Sequence, residues 1–323
     1  MFLVGFCASI LVAPIIINSL KRVKAGQNIL EYVDAHMAKQ GTPTMGGVIF
    51  LIGLIVAFFA IFDDNSRLIG ITILVTLAYA ILGFLDDFLK IKLKHNEGLK
   101  AYQKAIGQQG IALIVAFFVY YSGLVGNSII LPFGLKEIEL GAWIIPFIVF
   151  FYLAVTNSVN LTDGLDGLAG GTSSVFLIGF ILLFSIILPK LNISDVLISE
   201  YGNLILFVSA FVGSIFAFLC YNWNPASVFM GDTGSLAIGG FIATILTFTR
   251  MYFVMLVMGV VFVINTLSVV IQVGYYKLTK KRVFKMAPLH HHFEKSGKRE
   301  TKIVFVYIVV TLIGVAVSML IFA

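Results

Sequence analysis

The chain has 323 residues, of which 59% are hydrophobic and only 12% charged. A soluble domain averages roughly 45–50% apolar and about 25% charged residues, so a water-soluble globule is excluded and a polytopic membrane protein is indicated. The formal net charge of +6 raises a nucleic-acid reading, but the basic residues have a better explanation in the loops, and no nucleic-acid partner is expected.

In chain order, apolar runs predict ten spans, at about 2–20, 47–62, 69–85, 108–125, 143–157, 172–188, 202–219, 235–248, 254–276 and 303–322. The first lacks a basic leader and a small-residue cleavage site, so it reads as a retained span and not as a signal peptide. Cys7 and Cys220 fall in or near the first and seventh spans and offer neither a disulfide framework nor a metal spacing. The segment Ser128 to Leu140 alternates around Pro132-Phe133-Gly134 and reads as a small hairpin. Residues 1–323 form one integral membrane domain of all-α class with this extracytoplasmic β-hairpin.

Charge sets the expected orientation. Eighteen of the 22 Lys and Arg residues lie in the loops 21–46, 86–107, 158–171, 220–234 and 277–302, and only Arg67, Lys136, Lys190 and Arg250 lie on the other side. Positive loops stay in the cytoplasm, so an even number of spans puts both termini outside. None of the sixteen Asp and Glu residues falls well inside a span. Coupled carriers place binding groups near the midplane, whereas here polar chemistry collects at the cytoplasmic ends, which favours an interfacial enzyme. Asn265 and Gln272 are the exceptions.

Five junctions carry that chemistry. The chain is organised around 157–169, Asn157-Ser158-Val159-Asn160-Leu161-Thr162-Asp163-Gly164-Leu165-Asp166-Gly167-Leu168-Ala169. Its oxygen donors suit a hard cation such as Mg²⁺, and its glycines allow close backbone approach. The plainer reading is an Asx-turn with a helix cap. Lys39-Gln40-Gly41-Thr42-Pro43-Thr44-Met45-Gly46-Gly47 enters span two. It reads as a phosphate seat at a helix start, or as an ordinary entrance capped by Thr44. Asp86 and Asp87 end span three, where two acids repel each other and face the negative helix end. They call for a cation or a proton, with Lys90 and Lys104 nearby for anionic substrate groups or lipid headgroups. The run Tyr221-Asn222-Trp223-Asn224-Pro225, then Val228 to Ser235, sets Asp232 between two glycines and offers Phe229 to stack on a base or to anchor at the interface. Pro288-Leu289-His290-His291-His292-Phe293-Glu294 is a poor single-zinc chelate but suits phosphate donors or acid–base groups. Together this is a kit for handling a magnesium pyrophosphate.

These motifs resemble the polyprenyl-phosphate N-acetylhexosamine-1-phosphate transferases over essentially the whole chain. The acid-rich elements are similar to the superfamily at large. Gly41 to Gly47 and Pro288 to Glu294 are similar to the branch that transfers phospho-MurNAc-pentapeptide. The resemblance implies transfer from UDP-MurNAc-pentapeptide to undecaprenyl phosphate, giving lipid I and UMP, with Mg²⁺ as cofactor. It also implies a homodimer in the bacterial cytoplasmic membrane, with the active site facing the cytoplasm. Asp232 would be the principal Mg²⁺ ligand, with Asp86, Asp87 and Asp163 around it and His290 completing the catalytic group. Asp86 is the family's candidate base for the lipid phosphate. Substrate contacts would come from Lys39, Thr44, Lys90, Lys104, Asn160, Gly164, Leu165, Asp166, Asn222, Phe229, Gln272, Ala287, His291 and His292. Phe229 would stack on uracil, Asp166 would accept a uracil N–H, and the polyprenyl tail would lie beside span nine. The alternative within the superfamily is a UDP-GlcNAc:polyprenyl-phosphate GlcNAc-1-phosphate transferase, against which Pro288 to Glu294 speaks. A carrier would require midplane polar groups, and a lipid-binding scaffold would leave Asp86, Asp163 and Asp232 unexplained.

Overall fold

The computed structural model describes residues 1–22, 41–63, 66–93 and 98–322. Lys39, an expected site residue, lies outside them. The described residues form twelve α-helices and one two-stranded sheet. The helices are α1 (Phe2–Arg22), α2 (Gly47–Ile61), α3 (Arg67–Leu93), α4 (Ala101–Ser122), α5 (Ile144–Thr162), α6 (Leu168–Ile187), α7 (Asp195–Asn222), α8 (Gly231–Phe248), α9 (Val254–Val257), α10 (Val260–Thr279), α11 (Leu289–Glu294) and α12 (Glu300–Phe322). Among the described residues, nine of these helices are long and apolar enough to cross a membrane, and α2, at 15 residues, is a shorter apolar helix at the position of the expected second span. The protein is a multi-pass membrane protein.

The helix ends differ from those expected, and the differences move site residues from loops onto helices. α3 continues to Leu93, so Asp86 and Asp87 sit about two turns inside it. The penalty of the negative helix end, which fades within the last turn, therefore does not apply to them. α5 runs through Thr162, which places Asn157 and Asn160 on its last turns. Asp232 stands in the first turn of α8. The expected ninth span is broken: α9 stops at Val257 and α10 begins after Gly259.

The bundle is built around α8, in which every residue from Thr233 to Phe248 is buried. It packs against α3, α5 and α2. Several threonines in this apolar setting satisfy themselves locally: Thr72, Thr76, Thr156 and Thr244 each donate to the carbonyl four residues earlier, so a span carries them without an unpaired donor. α10 is the opposite case, with Leu267, Val270, Ile271 and Val273 exposed, as expected of a face turned to hydrocarbon.

The hairpin forms as expected. Strands Ser128–Ile130 and Glu137–Glu139 pair antiparallel with Ile129 opposite Ile138. It is pinned to the C-terminal end of α8: Ile130 N donates to Arg250 O (3.0 Å), and the Arg250 guanidinium reaches Ser128 Oγ (2.7 Å) and Glu137.

Candidate active site

The C-terminal ends of α3, α5 and α7 and the N-terminal ends of α4, α6 and α8 carry the acidic and amide groups nominated above, because short junctions turn each helix back beside its neighbour. Asp86 and Asp87 come from α3, Lys104 from α4, Asn160 from α5 and Asp232 from α8. One carboxylate oxygen each from Asp86, Asp87 and Asp232 lies within 4.8 Å of the others. Among the described residues this is the group of His, Cys, Asp and Glu side chains that could hold a metal ion.

Two lysines enter this cluster. Lys90 Nζ lies 2.5 Å from Asp86 Oδ2 and 3.0 Å from Asp232 Oδ2, and Lys104 Nζ lies 2.9 Å from the same Asp232 oxygen. The Asn160 amide nitrogen donates to Asp232 Oδ1 and to Ser235 Oγ, both at 2.8 Å, while its oxygen accepts from Lys104 Nζ at 3.3 Å. Asp86 is fixed on its other side by Leu99 N at 2.8 Å. Lys90 follows Asp86 by one helical turn, so α3 alone sets that pair.

Asp87 has a distinct place. It accepts from Asp232 N (3.1 Å), Thr233 N (2.9 Å) and Thr233 Oγ1 (2.7 Å). α8 has no side-chain cap of its own, and its first N–H groups need acceptors. Asp87 supplies them from a neighbouring helix and so sets the position of Asp232. The approach requires Gly231, whose φ is +73°. A Cβ there would stand 2.5 Å from Asp87 Oδ2 and 2.7 Å from Thr44 Oγ1.

Asp163 lies outside the triad, half-buried in the turn after α5. Burial first, then repulsion from Asp232, Asp87 and Asp166, holds its carboxyl well above the usual carboxylate range. The next residue, Gly164, faces the histidine run. A Cβ at Gly164 would collide with His290 Nε2 and stand 3.1 Å from His291 Nε2. Glycine is required there because α11 closes onto the α5–α6 turn. His290 is fully buried, its ring 4.3 Å from that of His291. His291 Nδ1 pairs with Glu294 at 2.9 Å. His292 Nδ1 accepts from Lys285 N at 3.1 Å, so its proton is on Nε2. The His290 and His291 rings thus lie together at the Gly164 turn, while the His292 ring is turned to Lys285 N.

Other nominated residues serve the frame. At α2, Gly46 N donates to Phe229 O (2.8 Å) and Gly47 N to Met230 O (3.0 Å). The expected phosphate seat at this helix start is thus already filled by backbone, and Thr44, which is buried, makes no side-chain cap. The same contact fixes Phe229, whose N–H donates to Pro43 O at 2.8 Å. Asn222 joins two junctions, accepting from Gly167 N (3.0 Å) and donating to Val228 O (2.9 Å). Gln272 holds the segment after α10 through Val283 N, Phe284 N and Phe284 O. Leu165 is buried in the core, and Ala287 is half-buried before α11.

Sequence reasoning missed Thr233, Ser235, Leu99, Glu294 and Glu300 as partners of the site. Glu294, Thr233 and Ser235 lay within quoted motifs, and Glu300 is the acid in the first turn of α12, a signal that a cap hypothesis alone would have explained.

The model of glycosyl transferase family 4 matches residues 68–250. The first signature of phospho-N-acetylmuramoyl-pentapeptide-transferase matches residues 39–51. The transferase of that name from Clostridium novyi is 44% identical over 96% of this chain and 92% of its own length. The chain belongs to the phospho-N-acetylmuramoyl-pentapeptide-transferase family. The transferases of this family from Thermoanaerobacter sp. (43% identical) and Clostridioides difficile (39% identical) each align over 98% of this chain and 95% of their own length. The family's signature segment is thus the one whose backbone holds Phe229 and Met230 beside Asp232.

Proposed function

We propose that the protein transfers phospho-MurNAc-pentapeptide from UDP-MurNAc-pentapeptide to undecaprenyl phosphate, giving lipid I and UMP. The observation that carries this reading is the convergence of Asp86, Asp87 and Asp232 with Lys90 and Lys104, at the ends of apolar helices. In that place a lipid-borne phosphate meets a water-soluble diphosphate without its chain leaving the bilayer. The chain acts as one membrane domain of ten spans with both termini outside and this cluster at the cytoplasmic face, in keeping with the positive-inside charge of its loops. It works in the bacterial cytoplasmic membrane, as a homodimer.

The donor set fits Mg²⁺, a hard cation that prefers oxygen ligands: Asp86, Asp87 and Asp232 bring one carboxylate oxygen each within 4.8 Å of the others. Asp232 and Asp86 would hold the ion, with Asp87 chiefly seating α8. Bound there, Mg²⁺ would screen the charge of the diphosphate.

The remaining chemistry falls to the chain's residues. Lys90 and Lys104 supply positive charge beside the acids and would turn to the transferring phosphate. An oxygen of undecaprenyl phosphate attacks the sugar-bearing phosphorus. The bridging P–O bond breaks, and its electron pair leaves with UMP. A phosphate monoester has a second pKa of about 6 and is largely dianionic at neutral pH, so a strong base is unnecessary. The phosphate is thus itself a competent nucleophile, which favours direct attack by the lipid phosphate over a covalent aspartyl intermediate. Phe229, Asp166 and the 164–167 turn would take the uridine, and His290 to His292 would close over the diphosphate and sugar. The polyprenyl tail would lie along the exposed apolar face of α10.

The test is UMP release by purified protein with Mg²⁺ and undecaprenyl phosphate, offering UDP-MurNAc-pentapeptide and UDP-GlcNAc in parallel. Release from the first alone, abolished by EDTA, is expected. Release from the second alone would overturn the substrate assignment while keeping the metal site. Retained configuration at phosphorus would favour the two-step route.

A further inference from the structure

At the base-binding end of the proposed site, three separate segments meet on one carboxylate. Glu300, the first residue of α12, accepts from Asp166 N through Oε1 at 2.6 Å and from Asn224 Nδ2 through Oε2 at 2.9 Å. The same Asn224 nitrogen donates to Asp166 Oδ2 at 3.1 Å, and that oxygen also accepts from Ala226 N at 3.1 Å. The Asp166 backbone and carboxylate are therefore both set by a group of partners that includes Glu300. Asn222 spans Gly167 N and Val228 O. Asp166 and Phe229, each one residue from those ends, are consequently held in one frame. Asp166 is buried and Phe229 half-buried.

An aromatic face holds any base by stacking, and a fixed carboxylate acceptor beside it is the group that tells uracil from cytosine. Uracil offers N3–H to a carboxylate, whereas cytosine offers a bare N3 acceptor that a carboxylate repels. Discrimination of this kind depends on a carboxylate that cannot turn away. We propose that Glu300 is a positioning residue for base specificity: by holding the Asp166 backbone and the Asn224 amide, it aims the Asp166 carboxylate at the N3 edge of a uridine nucleotide. This rests on the nucleotide site proposed above. Loss of Glu300 leaves the Asp166 N–H without that acceptor and leaves Asn224 Nδ2 with Asp166 Oδ2 as its remaining acceptor of this group, so the carboxylate, still held by Asn224 and Ala226 N, is aimed less tightly.

The experiment compares wild type, Glu300→Ala, Glu300→Gln and Phe229→Ala in binding of UMP and of CMP, with turnover of UDP-MurNAc-pentapeptide measured alongside. For Glu300→Ala the expected result is about tenfold weaker UMP binding, a similar rise in KM, kcat within about threefold, and a UMP-over-CMP preference reduced about tenfold. Glu300→Gln retains one acceptor but sets an NH₂ group against another partner, and should fall between. A role confined to the fold would lower stability and kcat without changing the UMP-to-CMP ratio. Unchanged UMP affinity and preference in folded Glu300→Ala overturns the proposal, as does failure of both Glu300 variants to fold. If Phe229→Ala also leaves UMP affinity unchanged, the nucleotide site itself is misplaced. If Phe229→Ala weakens UMP while Glu300→Ala does not, the role of Glu300 alone fails.

Discussion

The two ends of α3 use the same device for different purposes. At its N-terminal end, Glu200 of α7, itself buried, accepts from Arg67 N at 3.2 Å and Leu68 N at 2.9 Å. Toward its other end, Asp87 of α3 accepts from the first N–H groups of α8. In both cases a buried carboxylate from one helix caps another, which answers the demand of helix N–H groups that packing has shut off from water. Glu200 has done its work once those bonds form. Asp87 does the same and in doing so brings Asp232 against Asp86, Lys90 and Lys104. Capping is ordinary architecture, and it becomes part of a site when the capped helix presents a third acid.

The largest effect expected from breaking this arrangement is at Asp232. Asp232→Asn should lower turnover by at least about 10³-fold, the scale of losing a principal charge-stabilising group, while the protein remains folded by thermal denaturation. Near-normal activity would remove the metal assignment. Phe229→Ala should weaken UMP binding by about 1–3 kcal/mol, as for loss of a base-stacking ring, and change kcat less than KM. Equal UMP affinity by calorimetry would count against stacking.

Asp163 sharpens the comparison in a different direction. Its folded pKa is raised, so the folded state holds the proton more tightly than the unfolded chain. Stability of the metal-free protein should therefore fall as pH rises from the unfolded carboxylate value, about 3.9, toward the raised folded value. Asp163→Asn should flatten that dependence and raise the Tm of EDTA-treated protein at neutral pH. A lower Tm would mean that the ionised carboxylate is favourably placed. The smallest effect is expected at the far cap. Glu200→Gln keeps one acceptor and should cost about 1 kcal/mol of stability, seen as a modest drop in Tm with kcat unchanged. A fall in kcat matching that of Asp87→Asn would show that the two caps are not functionally separate.

Much of this was legible in the chain. Apolar run length set the helices, alternation around Pro132-Phe133-Gly134 set the hairpin, and the density of Asp, Asn and Gly marked the junctions. The acids Asp86, Asp87 and Asp232 were all nominated, and they do meet. Helix ends were less legible, because α3 and α5 extend past their apolar runs into polar residues that pair with neighbouring helices.

What the sequence by itself determined is therefore the membrane setting, the order of the helices and the chemical inventory of the site, since these follow from local hydrophobicity and residue type. The tertiary structure decided how each group is used. It bonded Asp87 to the first turn of α8 and Asn222 to Gly167 and Val228, filled the start of α2 with the backbone of Phe229 and Met230, left Asp163 outside the triad, and brought Glu300 to Asp166 across 134 positions. A hydrogen bond between distant segments has no local pattern to announce it. It exists because burial leaves each polar group to find its partner among whatever groups the packed helices place nearby.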